Sequence, residues 1–148
     1  MCGWFQAGNA KSQDVYEAAA KGAFEMLDEL EDMMAGSSGP FLLGSQLTEL
    51  DVRVYTSAIR FDVLYNPLFR VNARQLRQYP HLNSWLKRLY HLSPAFSETA
   101  SFDHMRKGFF SNTDWNPSGL IPIGPSPPIE PLEDSDKLTP FSTAPAKA

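Results

Sequence analysis

The sequence holds one cysteine in 148 residues. Cys2 has no second thiol to pair with, so an internal disulfide and a cysteine-rich metal site are both excluded. No basic side chain stands beside it to lower its pKa and make it a reactive thiol. Histidine is almost as scarce, and His81, His91 and His104 are too scattered for a metal-binding pair on one helical turn. His104, which follows Asp103, reads either as a general base or as a packed or solvated side chain. No glycine-rich phosphate loop, no G-x-S-x-G elbow and no paired-carboxylate motif is present. Positive charge is not in excess either: 13 Lys and Arg against 17 Asp and Glu leave a net charge of −4. That balance argues against nucleic acid or an anionic membrane as the main partner. No stretch approaches the roughly 20 apolar residues of a membrane span. The N-terminus lacks the basic-then-apolar pattern of a secretion signal. A reducing, cytoplasmic setting is the default reading. No convincing strand alternation appears, which leaves an all-α fold.

What is present is enough apolar material for the core of one domain, with 43% hydrophobic and 12% aromatic residues. The organising stretch runs from Gln46 to Asp62. Thr48 and Asp51 have the spacing of a capping box, and Leu47 and Val52 that of a hydrophobic staple. Glu49 and Asp51 place negative charge in the first turn, where the helix dipole favours it. At 100° per residue, Leu50, Val54, Ala58 and Phe61 form one apolar arc, and Val52, Tyr55, Ile59 and Val63 form another. Glu49, Arg53, Thr56 and Arg60 make a narrow polar strip. A helix apolar over most of its circumference is a buried central helix, here residues 49–64. Asp62 falls between the arcs. A carboxylate there must be paired or hydrogen-bonded, as an ion pair fixing the packing or as a catalytic group.

Around this axle the sequence predicts further helices. Residues 1–10 are short and aromatic, and Trp4 and Phe5 must anchor on something later in the chain. Ser12 caps a helix to about Met34, with Tyr16, Ala20, Ala23, Leu27, Leu30 and Met34 on one face and Asp14, Lys21, Glu25, Asp28 and Asp32 opposite. Gly36 to Pro40 is a break. Tyr65-Asn66-Pro67 stops or bends the central helix, and Asn72 caps a short helix through Gln78. Pro80 opens a helix with Leu82, Trp85, Leu86, Leu89 and Tyr90 inward and Lys87, Arg88 and His91 outward. A short helix covers Ala95 to Thr99, and Ser101 caps a last one ending near Phe110. Residues 115–125 read as extended. Eight of the twelve prolines follow Asn116, and composition places 126–148 in a disordered tail. Trp4, Phe5, Tyr65, Phe109, Phe110 and Trp115 can line an apolar pocket or simply pack. These residues by themselves give a helical domain and no reaction.

Several spaced motifs add more. Phe41-Leu42-Leu43-Gly44, Gln46-Leu47-Thr48-Glu49 with Asp51 and Arg53, and Arg60-Phe61-Asp62 resemble the C-terminal helical domain of glutathione transferases. Ser97 to Met105 and Asn116-Pro117-Ser118-Gly119-Leu120-Ile121-Pro122-Ile123-Gly124-Pro125 resemble the Xi class, the glutathionyl-hydroquinone reductases related to the omega class. The resemblance covers residues 1–125. It implies a helical bundle around the central helix, with most of its first helix missing. It also implies a separate thioredoxin-like N-terminal domain that binds glutathione as co-substrate and carries a Cys-Pro nucleophile. In that class the thiolate attacks the aryl thioether, and a second glutathione resolves the mixed disulfide. Cys2 does not match the catalytic position, so no catalytic residue and no metal ligand is assigned in this chain. Phe5, Tyr65 and Phe109 match the apolar wall of the electrophile pocket. Phe5 and Phe109 stand where the class carries tyrosines; losing each hydroxyl's bond to a charged quinol oxygen would cost about 1.5–3 kcal/mol.

Two functions follow from the resemblance. The first is the helical substrate-pocket half of a glutathione transferase, as a truncated product or partial gene model. Its partner would be a thioredoxin-like domain, with a homodimer possible. The second is a stand-alone protein-binding or scaffold module, motivated by an uncovered Tyr16-Leu27-Met34 stripe.

Overall fold

A computed structural model describes residues 3–136; Cys2 lies outside them. Seven α-helical segments are joined by short turns, with no β-strand among the described residues. A brief helix, α1 (Gly3–Gly8), leads into the long α2 (Gln13–Ala35). The central α3 (Glu49–Arg60) runs on through a π-helical turn (Phe61–Tyr65) into the short α4 (Asn66–Leu68). Then come α5 (Pro80–Leu92), α6 (Pro94–Ser97) and α7 (Phe102–Phe110).

The start of α3 shows how local spacing becomes tertiary structure. One oxygen of Asp51 accepts the Thr48 N–H at 2.9 Å and the Thr48 hydroxyl at 2.7 Å. The other accepts the Leu42 N–H at 2.9 Å and the Trp85 indole N–H at 3.0 Å. Asp51 is fully buried, so these donors replace its water. The cap thereby ties the 41–44 connector and α5 to α3. The staple does not close into the core: Leu47 and Val52 are each 44% exposed. Val52, Arg53 and Thr56 face outward, so the helix is enclosed only past Arg60, where α7 packs on the π-helical turn.

Pro67 has no N–H to donate and crowds the carbonyl four residues back. The helix answers with a wider turn, in which the Asn66 N–H reaches the Phe61 carbonyl five residues back. Tyr65 to Pro67 therefore bends the helix, which continues to Leu68. Asp62 takes the structural alternative. It accepts the Leu76 N–H at 2.6 Å and the Arg77 N–H at 3.2 Å, and it pairs with the Arg77 guanidinium at 3.3 Å. The helix expected from Asn72 reduces to a 3₁₀ turn over Leu76–Gln78. Gln75 caps that turn, its N–H held by the Gln78 side chain at 2.8 Å.

The Tyr16-Leu27-Met34 stripe is covered after all. Leu27 and Met34 are buried, and the Tyr16 hydroxyl donates to the Arg70 carbonyl. Close to Gly3, α1 crosses α2 over Ala19 and Ala23. Nearer its end, α2 sends the Glu31 carboxylate to the His81 and Leu82 N–H groups, both at 2.9 Å, which caps α5 from another helix.

Two cations placed outward by periodicity are inside. Lys87 and Arg88 are each 5% exposed. The Lys87 ammonium meets Asp136 at 2.6 Å, and Arg88 donates to the Ser84 hydroxyl and the Pro40 carbonyl. Their cover is the stretch that composition assigned to the disordered tail. Among residues 126–136, Ile129 packs on the core. Glu130 accepts from Asn83 through its carboxylate, and its carbonyl lies 2.9 Å from His91 Nε2. A 3₁₀ turn (Asp134–Asp136) seats the acid on Lys87. Residues 137–148 lie outside the described residues.

Candidate functional site

The three residues assigned to a pocket wall come from three distant parts of the chain and meet. Tyr65 reaches the site from the π-helical turn, Phe5 from α1 and Phe109 from α7. The Phe5 and Tyr65 ring centroids are 5.6 Å apart, Tyr65 and Phe109 6.2 Å, and Phe5 and Phe109 6.4 Å. Trp4 stacks on the other side of Tyr65 at 5.5 Å, and its indole N–H has no partner among the described residues. Phe110 is buried in the core.

Phe69 is the member that sequence reasoning missed. It lies one helical turn beyond Tyr65, and their rings are nearly parallel, 5.8 Å apart. That i, i+4 relation was available as a signal, but a proline between the two positions hid it. Phe69 also contacts Phe5 at 5.2 Å.

Trp115 closes the cluster from the extended segment after α7. Its ring is 5.1 Å from Phe69 edge-on, 6.3 Å from Phe5, and 6.1 Å from Phe109 at an interplanar angle of only 15°. The indole N–H donates to Asn9 Oδ1 at 3.1 Å, while the Asn9 side-chain amide donates to the Phe5 carbonyl at 2.7 Å. Asn9 thus tethers Trp115 to the end of α1. Behind it, the Asn116 amide donates to the Phe110 and Leu120 carbonyls.

Rings in offset and edge-on contact make an apolar, polarisable cluster in which Tyr65 and Phe69 are buried and Phe5, Phe109 and Trp115 are the partly exposed members, a set suited to an aromatic partner rather than to proton transfer. Phe5 forms the edge of an open groove of about 880 Å³, lined with Asn9, Lys11, Val15, Ala18 and Ala19. A second groove, of about 520 Å³, runs between α3, α6 and α7. The uncovered staple residues Leu47 and Val52 line it with Ile59, Phe96 and Met105, and Arg60 stands at the same wall. Tyr55 borders it as well. Burial raises the Tyr55 phenol well above its usual value, and its hydroxyl donates to the Phe96 carbonyl at 3.0 Å, so it is a structural donor and not an acid. No group of three or more potential metal ligands is found among the described residues, and no described helix is long and apolar enough to cross a membrane.

Comparison with known proteins now bears on this geometry. Residues 13–88 match the family described as glutathione S-transferase, C-terminal domain. Glutathione S-transferase omega-like 2 of Schizosaccharomyces pombe is 45% identical over 130 residues, which is 86% of this chain and 42% of that protein. The glutathionyl-hydroquinone reductase YqjG of Escherichia coli is 38% identical over 124 residues, 83% of this chain and 37% of its own length. Its glutathione-bound structure superimposes with a TM-score of 0.78 at 35% identity, over 95% of this chain and 42% of that one. The crystal structure of glutathione-S-transferase Xi from Phanerochaete chrysosporium superimposes with a TM-score of 0.84 at 43% identity, over 88% of this chain and 44% of that one. The chain therefore spans about two fifths of the length of these relatives.

Proposed function

This chain belongs to the glutathione transferases as their C-terminal helical domain, homologous to the Xi-class glutathionyl-hydroquinone reductases, and on that premise we propose that it forms the substrate-pocket wall for glutathione-dependent thiol transfer on an aryl thioether. The observation that carries the reading is the meeting of Phe5, Tyr65 and Phe109 in one aromatic cluster, with Phe5 and Phe109 partly exposed over a buried Tyr65. A flat aryl group can be held there by ring contact. The nucleophilic thiol and the glutathione site belong to a thioredoxin-like partner domain, so the chain's own part is to orient the aryl group and exclude water around it. Since Phe5 and Phe109 lack hydroxyls, orientation rests on stacking more than on hydrogen bonds to a quinol oxygen.

The test joins this chain to the thioredoxin-like half of a Xi-class relative. With glutathione and a glutathionyl-hydroquinone, the chimera turns over. The 148-residue chain does not, and the relative's isolated half is slower than the chimera by at least tenfold. Turnover by the chain on its own, or a chimera no better than the isolated half, overturns the proposal.

One observation favours a second reading, a non-catalytic docking module. The groove along the first half of α3 leaves the apolar Leu47 and Val52 in solvent, a surface that suits a protein partner. For that reading, Val52→Glu abolishes partner binding while an inert chimera stays inert. For the enzyme reading, which rests on the aromatic cluster and not on this groove, the same substitution leaves the chimera's activity within about twofold.

A further inference from the structure

We propose that Trp115 occupies its own protein's ligand slot: the indole is a built-in stand-in for a planar aromatic group, and it must swing out to admit one. The inference rests on the pocket-wall reading above and deepens it by assigning the residue that controls entry.

The geometry around Trp115 is what a planar guest would meet. The indole lies nearly parallel to Phe109, with an interplanar angle of 15° and centroids 6.1 Å apart, and it takes the edges of Phe69 at 5.1 Å and Phe5 at 6.3 Å. Phe5 and Phe109 are themselves only 6.4 Å apart and tilted by 47°. No flat molecule can slip between rings so close, and Phe69 is fully buried, so a guest reaches Phe69 and Phe109 together only by taking the place of the indole. Of the three rings around that place, Phe5 and Phe109 come from helices and Phe69 follows directly on α4, and Tyr65 packs against all three. Trp115 is different: it sits on an irregular stretch past the end of α7 and is only partly buried. Its single polar tether is the 3.1 Å hydrogen bond to Asn9 Oδ1, at the rim of the open groove beside Phe5. A ring on a loop, latched by one hydrogen bond over a rigid aromatic floor, can leave without unfolding a helix. Its backbone neighbour Asn116 stays anchored to the Phe110 carbonyl at 2.7 Å, which gives the swing a fixed pivot.

An occupied slot weakens binding by the fraction of time it is closed, and removing the occupant restores the intrinsic affinity. A wall residue behaves in the opposite way, since removing it deletes contact surface. The two roles thus predict opposite signs.

The probe is 2-naphthol, planar and inert toward the thiol, titrated into the 148-residue chain and followed by its own fluorescence anisotropy. Trp115→Ala tightens binding about tenfold. Asn9→Ala, which opens the latch and also removes the Asn9 bond to the Phe5 carbonyl, tightens it about fivefold. Asn9→Asp, which loses the donor to the Phe5 carbonyl but keeps an acceptor for the indole, stays within twofold of the parent chain. Cyclohexanol, which is not planar, gains nothing from either alanine substitution. Weaker naphthol binding by Trp115→Ala, or no change on Asn9→Ala in a chain whose circular dichroism is unaltered, overturns the proposal. These readouts use no turnover, so an inactive chimera with tightened naphthol binding would sink the enzyme reading and leave the gate standing.

Discussion

Asp51 accepts four hydrogen bonds from three parts of the chain: Thr48 gives two, Leu42 one and Trp85 one. With no exposure, it has no water to fall back on. Asp51→Ala strands four donors, and each buried unsatisfied group costs about 1–3 kcal/mol, less when several relax together. A loss of about 3–4 kcal/mol is expected, a large share of the roughly 5–15 kcal/mol that holds a domain folded. Asp51→Asn keeps the shape but turns one acceptor into a donor, which faces either Thr48 or the Leu42–Trp85 pair; it should lose about 2 kcal/mol. Thr48→Ala removes one hydroxyl and costs about 1 kcal/mol. Urea denaturation orders the three, and an asparagine variant as stable as the parent would refute the four-donor account. Half of this arrangement is legible in the sequence, because Thr48 and Asp51 are three residues apart. The other half is not, because Leu42 and Trp85 reach the carboxylate from 9 and 34 residues away.

At the scale of helices, the starts and the inner faces of α2 and α5 are readable, and the register past Phe61 is not. Ser12, Thr48, Ser101 and Pro80 mark real boundaries; Thr48, Ser101 and Pro80 act on groups within their own first turn, while the Ser12 side chain makes no capping hydrogen bond. The π-helical turn escapes periodicity because it inserts one residue into the count, and everything after it rotates by about 100° relative to an α-helix. That rotation is what brings Tyr65 and Phe69 onto the face that meets α1. The closeness of the meeting shows at Gly8, where an added Cβ would lie 2.2 Å from Phe69 Cδ1 and 2.6 Å from Cγ. A ring held on both faces cannot move aside like a chain end. Gly8→Ala should destabilise by about 1–3 kcal/mol through overpacking and should change the near-ultraviolet dichroism of the cluster. Gly22, in mid-α2, is the internal control, since nothing lies within 4 Å of its added Cβ. Gly22→Ala should stabilise by up to about 1 kcal/mol through helix propensity alone. If both variants move stability the same way, the close approach of α1 to Phe69 is not a constraint.

Across the whole molecule, the stretch from Ile129 to Asp136 explains why one reading of α5 failed. Lys87 and Arg88 fall on the polar side of the helical wheel, and on a bare helix they would face water. An acidic segment some fifty residues later folds back and encloses them, a pairing that no local pattern reveals. The Lys87–Asp136 pair has side chains 7% and 5% exposed at 2.6 Å. Burial by itself would raise the Asp136 carboxyl. Hydrogen bonds from Lys87, Ser84 and the Glu133 N–H outweigh burial and hold it below its ordinary value. A carboxylate whose folded pKa is depressed contributes stability that is fully present above its unfolded value, near 3.9, and is lost as pH falls through the lower folded value. The strap should therefore hold unchanged from neutral pH down to about pH 5 and release only below the usual carboxylate range. Asp136→Asn leaves Lys87 buried without its counter-charge and should cost about 3 kcal/mol at pH 7. The difference between parent and variant should shrink as pH drops below about 4, because protonation makes the parent resemble the variant. Replacing both partners, Lys87→Met with Asp136→Leu, should recover most of the loss, since an apolar pair of similar volume needs no charge compensation. Denaturant titrations at several pH values measure all three chains. A single variant within about 0.5 kcal/mol of the parent at pH 7 would mean the strap peels away and lets Lys87 into water at little cost; a double variant no better than the single would place the strap's worth in its backbone and Ile129 contacts instead of the ion pair.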